Sequence, residues 1–166
     1  MRADRVAMLV GLFSVAMMIG VYFFEYVVRV MPCEMCYWQR WPHVAAIITG
    51  LGGAALFSAG TIGRRAVGVL AWLSLALLLS SALIGAWQAG VEWRWFPGPD
   101  ACSGPLFEIR QHLDLNAPVA SCEDPGWRML GISLAGYNFL CSTGVAVLGA
   151  LLLTRTIKVP LKWANA

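Results

Sequence analysis

Charge is scarce in this chain. Asp, Glu, Lys and Arg make up 13% of its 166 residues, about half the ~25% of ordinary globular proteins. That scarcity excludes a disordered tail and a nucleic-acid module, and a formal net charge of +3 is too small to hold a polyanion. Histidine occurs only as His43 and His112. No repeat or low-complexity tract is present. The apolar fraction of 59% exceeds the roughly 45–50% of globular proteins. With a mean hydropathy of +0.68, it excludes a small disulfide-stapled secreted domain. A polytopic membrane protein remains.

A membrane helix needs about 20 mostly apolar residues. Val6–Phe24, Trp41–Gly63, Ala66–Val91 and Met129–Thr154 qualify. The expected spans are 6–26, 41–63, 66–91 and 129–154 within one membrane domain over 1–166, with outward loops at 27–40 and 92–128. The fold class is all-α, a four-helix bundle. Arg2, Arg5, Arg64, Arg65, Arg155, Lys158 and Lys162 fall on one side, opposed only by Asp4. The other side carries Arg29, Arg40, Arg94, Arg110 and Arg128 with all the remaining acids. The first side is therefore expected to be cytoplasmic, with both termini. A cleaved signal peptide fits poorly. The first apolar run exceeds the usual 7–15 residue core, and Glu25 follows without a small-residue cleavage site.

The 92–128 segment is rich in Pro and Gly, which read as turns. Within it Leu106, Ile109 and Leu113 recur at helical spacing beside Phe107, with Glu108, Gln111 and Asp114 in the polar positions. This predicts a short amphipathic helix, lying on the membrane surface or packed on other loop residues.

Four of the five cysteines, Cys33, Cys36, Cys102 and Cys122, lie in the outward loops, as an oxidising compartment would explain. Cys141 stands alone in the fourth span and reads as a small buried hydrophobe. Cys33-Glu-Met-Cys36 follows Pro32 directly before the second span. A helix starting there places Cys33 at its N-terminal edge, where free N–H groups and the dipole favour a thiolate. Arg40, four residues after Cys36, shares its helix face and is available to stabilise a thiolate or an anionic ligand. A C-x-x-C alone also occurs in zinc knuckles and haem attachment sites. Tyr37 stands where haem attachment needs His. Cys102 and Cys122 lie 20 positions apart, unlike the close second pair of a knuckle. These two cysteines bracket the proline-rich loop. They read either as a structural disulfide worth about 3 kcal/mol or as a second redox pair on a mobile loop that a foreign thiolate can reach.

Together these features resemble the DsbB family of disulfide bond formation proteins. The resemblance covers nearly the whole chain. It rests on the four spans, on Pro32-Cys33-Glu34-Met35-Cys36 with Gln39-Arg40 following, and on the Cys102/Cys122 pair. It also includes Ser121-Cys122-Glu123-Asp124-Pro125-Gly126-Trp127-Arg128 leading into Leu130-Gly131-Ile132-Ser133. The resemblance implies a bacterial inner-membrane thiol:quinone oxidoreductase that reoxidises a periplasmic DsbA-like thiol oxidase and passes electrons to ubiquinone or menaquinone. It implies redox-active disulfides Cys33–Cys36 and Cys102–Cys122. Cys102 would take the partner's attack, Cys122 would exchange with Cys33, Cys36 would face the quinone, and Arg40 would support it. By the same resemblance, a His near the outer end of the third span, which assists the quinone in well-known members, would be expected. Here that stretch reads Ala86-Trp87-Gln88-Ala89-Gly90, and Gln88 is the available hydrogen-bond donor.

Two other readings stand beside this one. A non-enzymatic metal-binding or assembly membrane protein would use the four outer cysteines. A vitamin K epoxide reductase-like protein would share the four-helix core but carry its C-x-x-C on a later helix. Trp38, Trp41, Trp93 and Trp95 read as interfacial anchors. Glu25 and Arg29 read as an i, i+4 pair, Pro42 as a kink or restart of the second helix, and His43 as an interfacial polar residue.

Overall fold

A computed structural model of the protein describes residues 3–103 and 120–157, with side chains to 154. Four long helices form the bundle: α1 (Ala3–Tyr26), α2 (Glu34–Ser58), α3 (Arg64–Glu92) and α4 (Leu134–Ile157). Each is long and apolar enough to cross a membrane. The amphipathic helix expected around Leu106–Leu113 lies outside the described residues, as does His112.

The helices outrun or fall short of the apolar runs for local reasons. Cys33, with φ −88° and ψ 172°, caps α2 and starts it well before Trp41. The helix continues through Pro42 without restarting there, although proline has no N–H to bond back to the preceding turn. The last helix starts at Leu134 rather than Met129. A small hairpin, β1 (Arg128–Met129) against β2 (Ile132–Ser133), occupies the intervening residues. Its two-residue turn puts Leu130 at φ 53° and Gly131 at φ 80°, the left-handed pair that a type I′ hairpin turn requires.

Helix α3 packs against all three others, and α1 lies along α2. Toward the end of the bundle far from Cys33, the core holds Val6, Val10, Ala46, Leu75, Leu78 and Leu153. Large apolar side chains such as Ile19, Ile48 and Val69 point outward, as expected where lipid replaces water and helices associate through close packing. The α1–α2 seam shows that packing. A Cβ added at Gly50 would sit 2.5 Å from the Ala7 carbonyl oxygen, and one at Gly11 2.7 Å from the Leu51 side chain. Nearer the cysteines the seam widens into a cleft of about 460 Å³.

Candidate functional site

The cleft lies beside the start of α2. Cys33 Sγ accepts from the Cys36 backbone N–H at 3.3 Å, and the two sulfurs stand 2.7 Å apart as free thiols. A disulfide needs about 2.05 Å, so a small rotation closes the pair. Cys33 is buried, while Cys36 is partly exposed and lines the cleft. The helix end favours a thiolate at Cys33 through the Cys36 N–H, as expected, but other contributions outweigh it. The hydrogen bond with Cys36, then burial, then the neighbouring charges of Cys36 and Glu92 push the Cys33 thiol far up. Of the two sulfurs, the more deeply buried Cys33 is the one that its surroundings keep protonated.

Cys102 and Cys122 form a disulfide with Cα atoms 5.3 Å apart. The Cys122 N–H also donates to the Cys102 carbonyl at 2.9 Å. Both side chains are buried rather than displayed on the surface, and they share one cluster with Cys33, Met35 and Val91. The fold therefore gathers all four outer cysteines into one place. Cys141 is elsewhere. It is exposed on α4, not buried as expected, because its helix turns that face away from the bundle.

Gln88 reaches both sulfurs of the C-x-x-C. Its Nε2 lies 3.3 Å from Cys33 Sγ, 3.5 Å from Cys36 Sγ and 3.3 Å from Glu92 Oε1. Its Oε1 accepts from Gln39 Nε2. From there a buried polar chain crosses the bundle. Asn138 Nδ2 donates to Gln39 Oε1 at 2.7 Å, and Asn138 Oδ1 accepts from His43 Nε2 at 3.1 Å and from Ser142 at 2.8 Å. His43 Nδ1 meets Ser14 Oγ at 3.3 Å. His43 is thus a buried member of this chain rather than an interfacial residue. Gln39, Asn138 and Glu92 join the site without being among the site residues that the sequence marks. The available signal was their position as polar side chains on otherwise apolar helices, which inside a membrane protein marks function or interhelical pairing.

Arg40 lies one turn beyond Cys36. Its Nη1 is 2.7 Å from Glu25 Oε2, and its guanidinium stacks 4.7 Å over the Tyr37 ring and 5.3 Å over the Tyr22 ring. Such cation–π contacts help offset the burial of a charge. Glu25 therefore pairs with Arg40, not with Arg29. The first helix ends at Tyr26 and Arg29 sits at φ 66°, so no helical i, i+4 relation joins Glu25 to Arg29. Arg40 Nε is buried and has no hydrogen-bond partner. It lines the cleft with Cys36, Glu25 and His43, among mostly apolar walls that include Met17, Val21 and Phe24. An orphaned donor in an apolar cleft fits a flat, largely apolar ligand carrying a carbonyl oxygen. Among the described residues no group of three or more His, Cys, Asp and Glu side chains is placed to hold a metal ion.

The indole rings divide as their surroundings dictate. Trp41, Trp93 and Trp95 are exposed. Trp38 packs near Trp87 and donates to Glu34 at 3.1 Å. Trp127 packs on Phe24 with centroids 4.6 Å apart, closing one wall of the cleft.

Comparison with known proteins gives a consistent result. The family model described as "Disulfide bond formation protein DsbB" matches residues 3–152. A "Disulfide bond formation protein B" from Polaromonas sp. (strain JS666 / ATCC BAA-500) is 28% identical, over 91% of this chain and 90% of its own. Proteins of the same name from Verminephrobacter eiseniae (strain EF01-2) and Aromatoleum aromaticum (strain DSM 19018 / LMG 30748 / EbN1) are each 30% identical. These matches cover 90% of this chain in both cases, and 83% and 92% of the respective relatives. No solved structure matches.

Proposed function

The chain belongs to the DsbB family of disulfide bond formation proteins, a multi-pass membrane protein by its four helices, and from that premise we propose that it is a thiol:quinone oxidoreductase that reoxidises a DsbA-like periplasmic partner. The observation that carries this reading is the packing of two cysteine pairs in one cluster, with Cys36 opening on an apolar cleft beside the unpartnered Nε of Arg40.

The direction of flow follows from redox poise. A DsbA-type partner sits near −120 mV, and an ordinary disulfide at about −200 mV does not oxidise it downhill. A stronger, renewable acceptor is needed. A ubiquinone or menaquinone bound in the cleft would supply that sink for two electrons and two protons. Arg40 would hold its oxygen, and the apolar walls would hold its ring and tail.

The cysteines divide the remaining work. The partner's thiolate attacks Cys102, and Cys122 leaves. The partner's second thiol resolves that mixed disulfide, which leaves Cys102 and Cys122 reduced. Cys122 then attacks Cys33, and Cys36 departs as the thiolate. Gln88 donates toward both sulfurs and steadies the charge that appears there. In this reading the Arg64–Arg65 connection and both termini are cytoplasmic, and the segments bearing the four cysteines are periplasmic, in a bacterial inner membrane.

The test is turnover of a reduced DsbA-type protein by the purified protein in detergent with defined quinones. Catalytic quinone reduction, with two disulfides in the resting protein, is the expected result. Stoichiometric zinc on four reduced thiols would replace this reading with metal binding.

A further inference from the structure

Glu92 has no part in the steps above, yet it closes the base of the cysteine site. It is the last residue of α3 and only 7% exposed. Its Oε1 accepts from Gln88 Nε2 at 3.3 Å, while Oε2 is buried with no hydrogen-bond partner. The same Gln88 nitrogen lies 3.3 Å from Cys33 Sγ. Two acceptors sharing one amide NH₂ in this way stand roughly 6 Å apart, a gap that one bridging water spans. The groups facing Glu92 are Cys33 from the α2 cap, Arg128 on β1, Ser133 on β2 and Gln88 on its own helix. It also lines the cleft.

Cys33 needs such a neighbour. A thiol must lose its proton before its sulfur can attack, and the leaving sulfur of an opening disulfide is stabilised by gaining one. A buried sulfur has no bulk water for either exchange. We propose that Glu92 is the proton partner of Cys33, taking its proton as the Cys33–Cys36 disulfide closes and returning it as that disulfide opens. The inference deepens the thiol:quinone reading and rests on it.

The balance closes. On closing, the Cys33 S–H bond breaks, the S–S bond forms with Cys36, the proton passes to Glu92, and two electrons leave with the oxidant. On opening, Cys122 attacks Cys33 and Cys36 leaves as thiolate. Cys102 then attacks Cys122, and the released Cys33 sulfur takes the proton back from Glu92. The two protons of the Cys102 and Cys122 thiols go to solvent, and the two that the oxidant needs come from solvent. One proton stays shared between Glu92 and Cys33 throughout.

The test needs no quinone. The full chain, quinone-extracted, with Cys102, Cys122 and Cys141 replaced by Ser and the remaining pair reduced, receives one equivalent of 4,4′-dithiodipyridine. Attack by Cys36 releases the first thiopyridone, and closure by Cys33 releases the second. In Glu92→Gln the first release should match the parent, and the second should slow about 100-fold at pH 7, the usual contribution of a positioned acid–base group. The slowed rate should climb about tenfold per pH unit as bulk base takes over. Glu92→Asp should recover much of the loss. An unchanged second release, or equal slowing of both releases, would overturn the proposal. A separate quinone-reduction assay of the unmodified protein keeps the two ideas apart. Absent quinone reduction with a Glu92-dependent second release sinks the thiol:quinone reading and supports the proton role. Intact quinone reduction with an indifferent second release sinks the proton role alone.

Discussion

Gln88 Nε2 stands 3.3 Å from Cys33 Sγ, in reach of both sulfurs of the C-x-x-C from a different helix. A neutral amide donating to a sulfur that becomes charged favours the reduced pair, since hydrogen bonds to charged groups are worth about 1.5–3 kcal/mol. Replacing Gln88 by Leu should therefore move the Cys33–Cys36 couple to a more negative potential, on the order of 30 mV or more. Equilibration with a glutathione redox series reads that shift. Gln88→His should lie closer to the parent, because an imidazole N–H restores a donor.

Arg40 offers a second test. Arg40→Ala should raise the apparent quinone KM by roughly tenfold or more, because both charge and positioning are lost. Arg40→Lys keeps the charge without the planar fork and should be milder. Glu25→Gln removes the charge that Arg40 faces at 2.7 Å but keeps an amide oxygen that can accept from the guanidinium. Its KM change should be smaller than that of Arg40→Ala. Steady-state quinone titrations separate the three, and identical kinetics throughout would remove Arg40 from the site.

The cysteine relay predicts opposite behaviour for single replacements. Cys36→Ser leaves Cys102–Cys122 able to oxidise at most one equivalent of partner, with no sustained quinone reduction. Cys122→Ser leaves Cys102 as a lone thiol, able to form a trapped mixed disulfide with an oxidised partner. Single- against multiple-turnover assays with non-reducing electrophoresis distinguish these. Continued quinone-dependent turnover by Cys36→Ser would sink the assignment of Cys36 as electron donor.

Asn138 is the hub of the buried polar chain. Asn138→Leu leaves His43, Gln39 and Ser142 without their partner, and each unsatisfied buried polar group costs about 1–3 kcal/mol. A clear fall in the thermal unfolding midpoint in detergent is expected. Asn138→Asp keeps the acceptor for His43 and Ser142 but loses the donor to Gln39, so the lost contact should show in the redox potential of the cysteine pair as well as in stability. A Leu variant as stable as the parent would mean that the chain contributes nothing to folding.

Much of this was legible in the residue order, and the parts that were not share a cause. Uninterrupted apolar runs announce membrane helices because the length requirement is severe, and all four appear. Cysteine spacing and the residues around it carried the family. Direction around a helix axis is harder to read when all faces are apolar. Cys141 therefore looked buried and is exposed, while His43 looked interfacial and is buried. Glu25 and Arg29 looked like partners because the sequence does not show where α1 ends. The apolar stretch begins at Met129, but Leu130-Gly131 turns the chain within it, so α4 starts only at Leu134. Contacts between helices, such as Gln39 with Asn138, have no sequence spacing at all.

The seam between α1 and α2 closes at Gly11 and Gly50, where backbones touch, and opens beside Arg40. That makes the two helices a pair of tongs with a fixed pivot. Cys36 stands fourteen positions from Gly50, roughly 20 Å along the axis at 1.5 Å per residue. A tilt of about 5° at the pivot would swing the cysteine end by nearly 2 Å at that lever length. A methyl group placed on Gly50 would force such a tilt, because it meets backbone rather than a yielding side chain. Damage at a point with no chemistry of its own would then register as a change in the grip on whatever lies between the jaws.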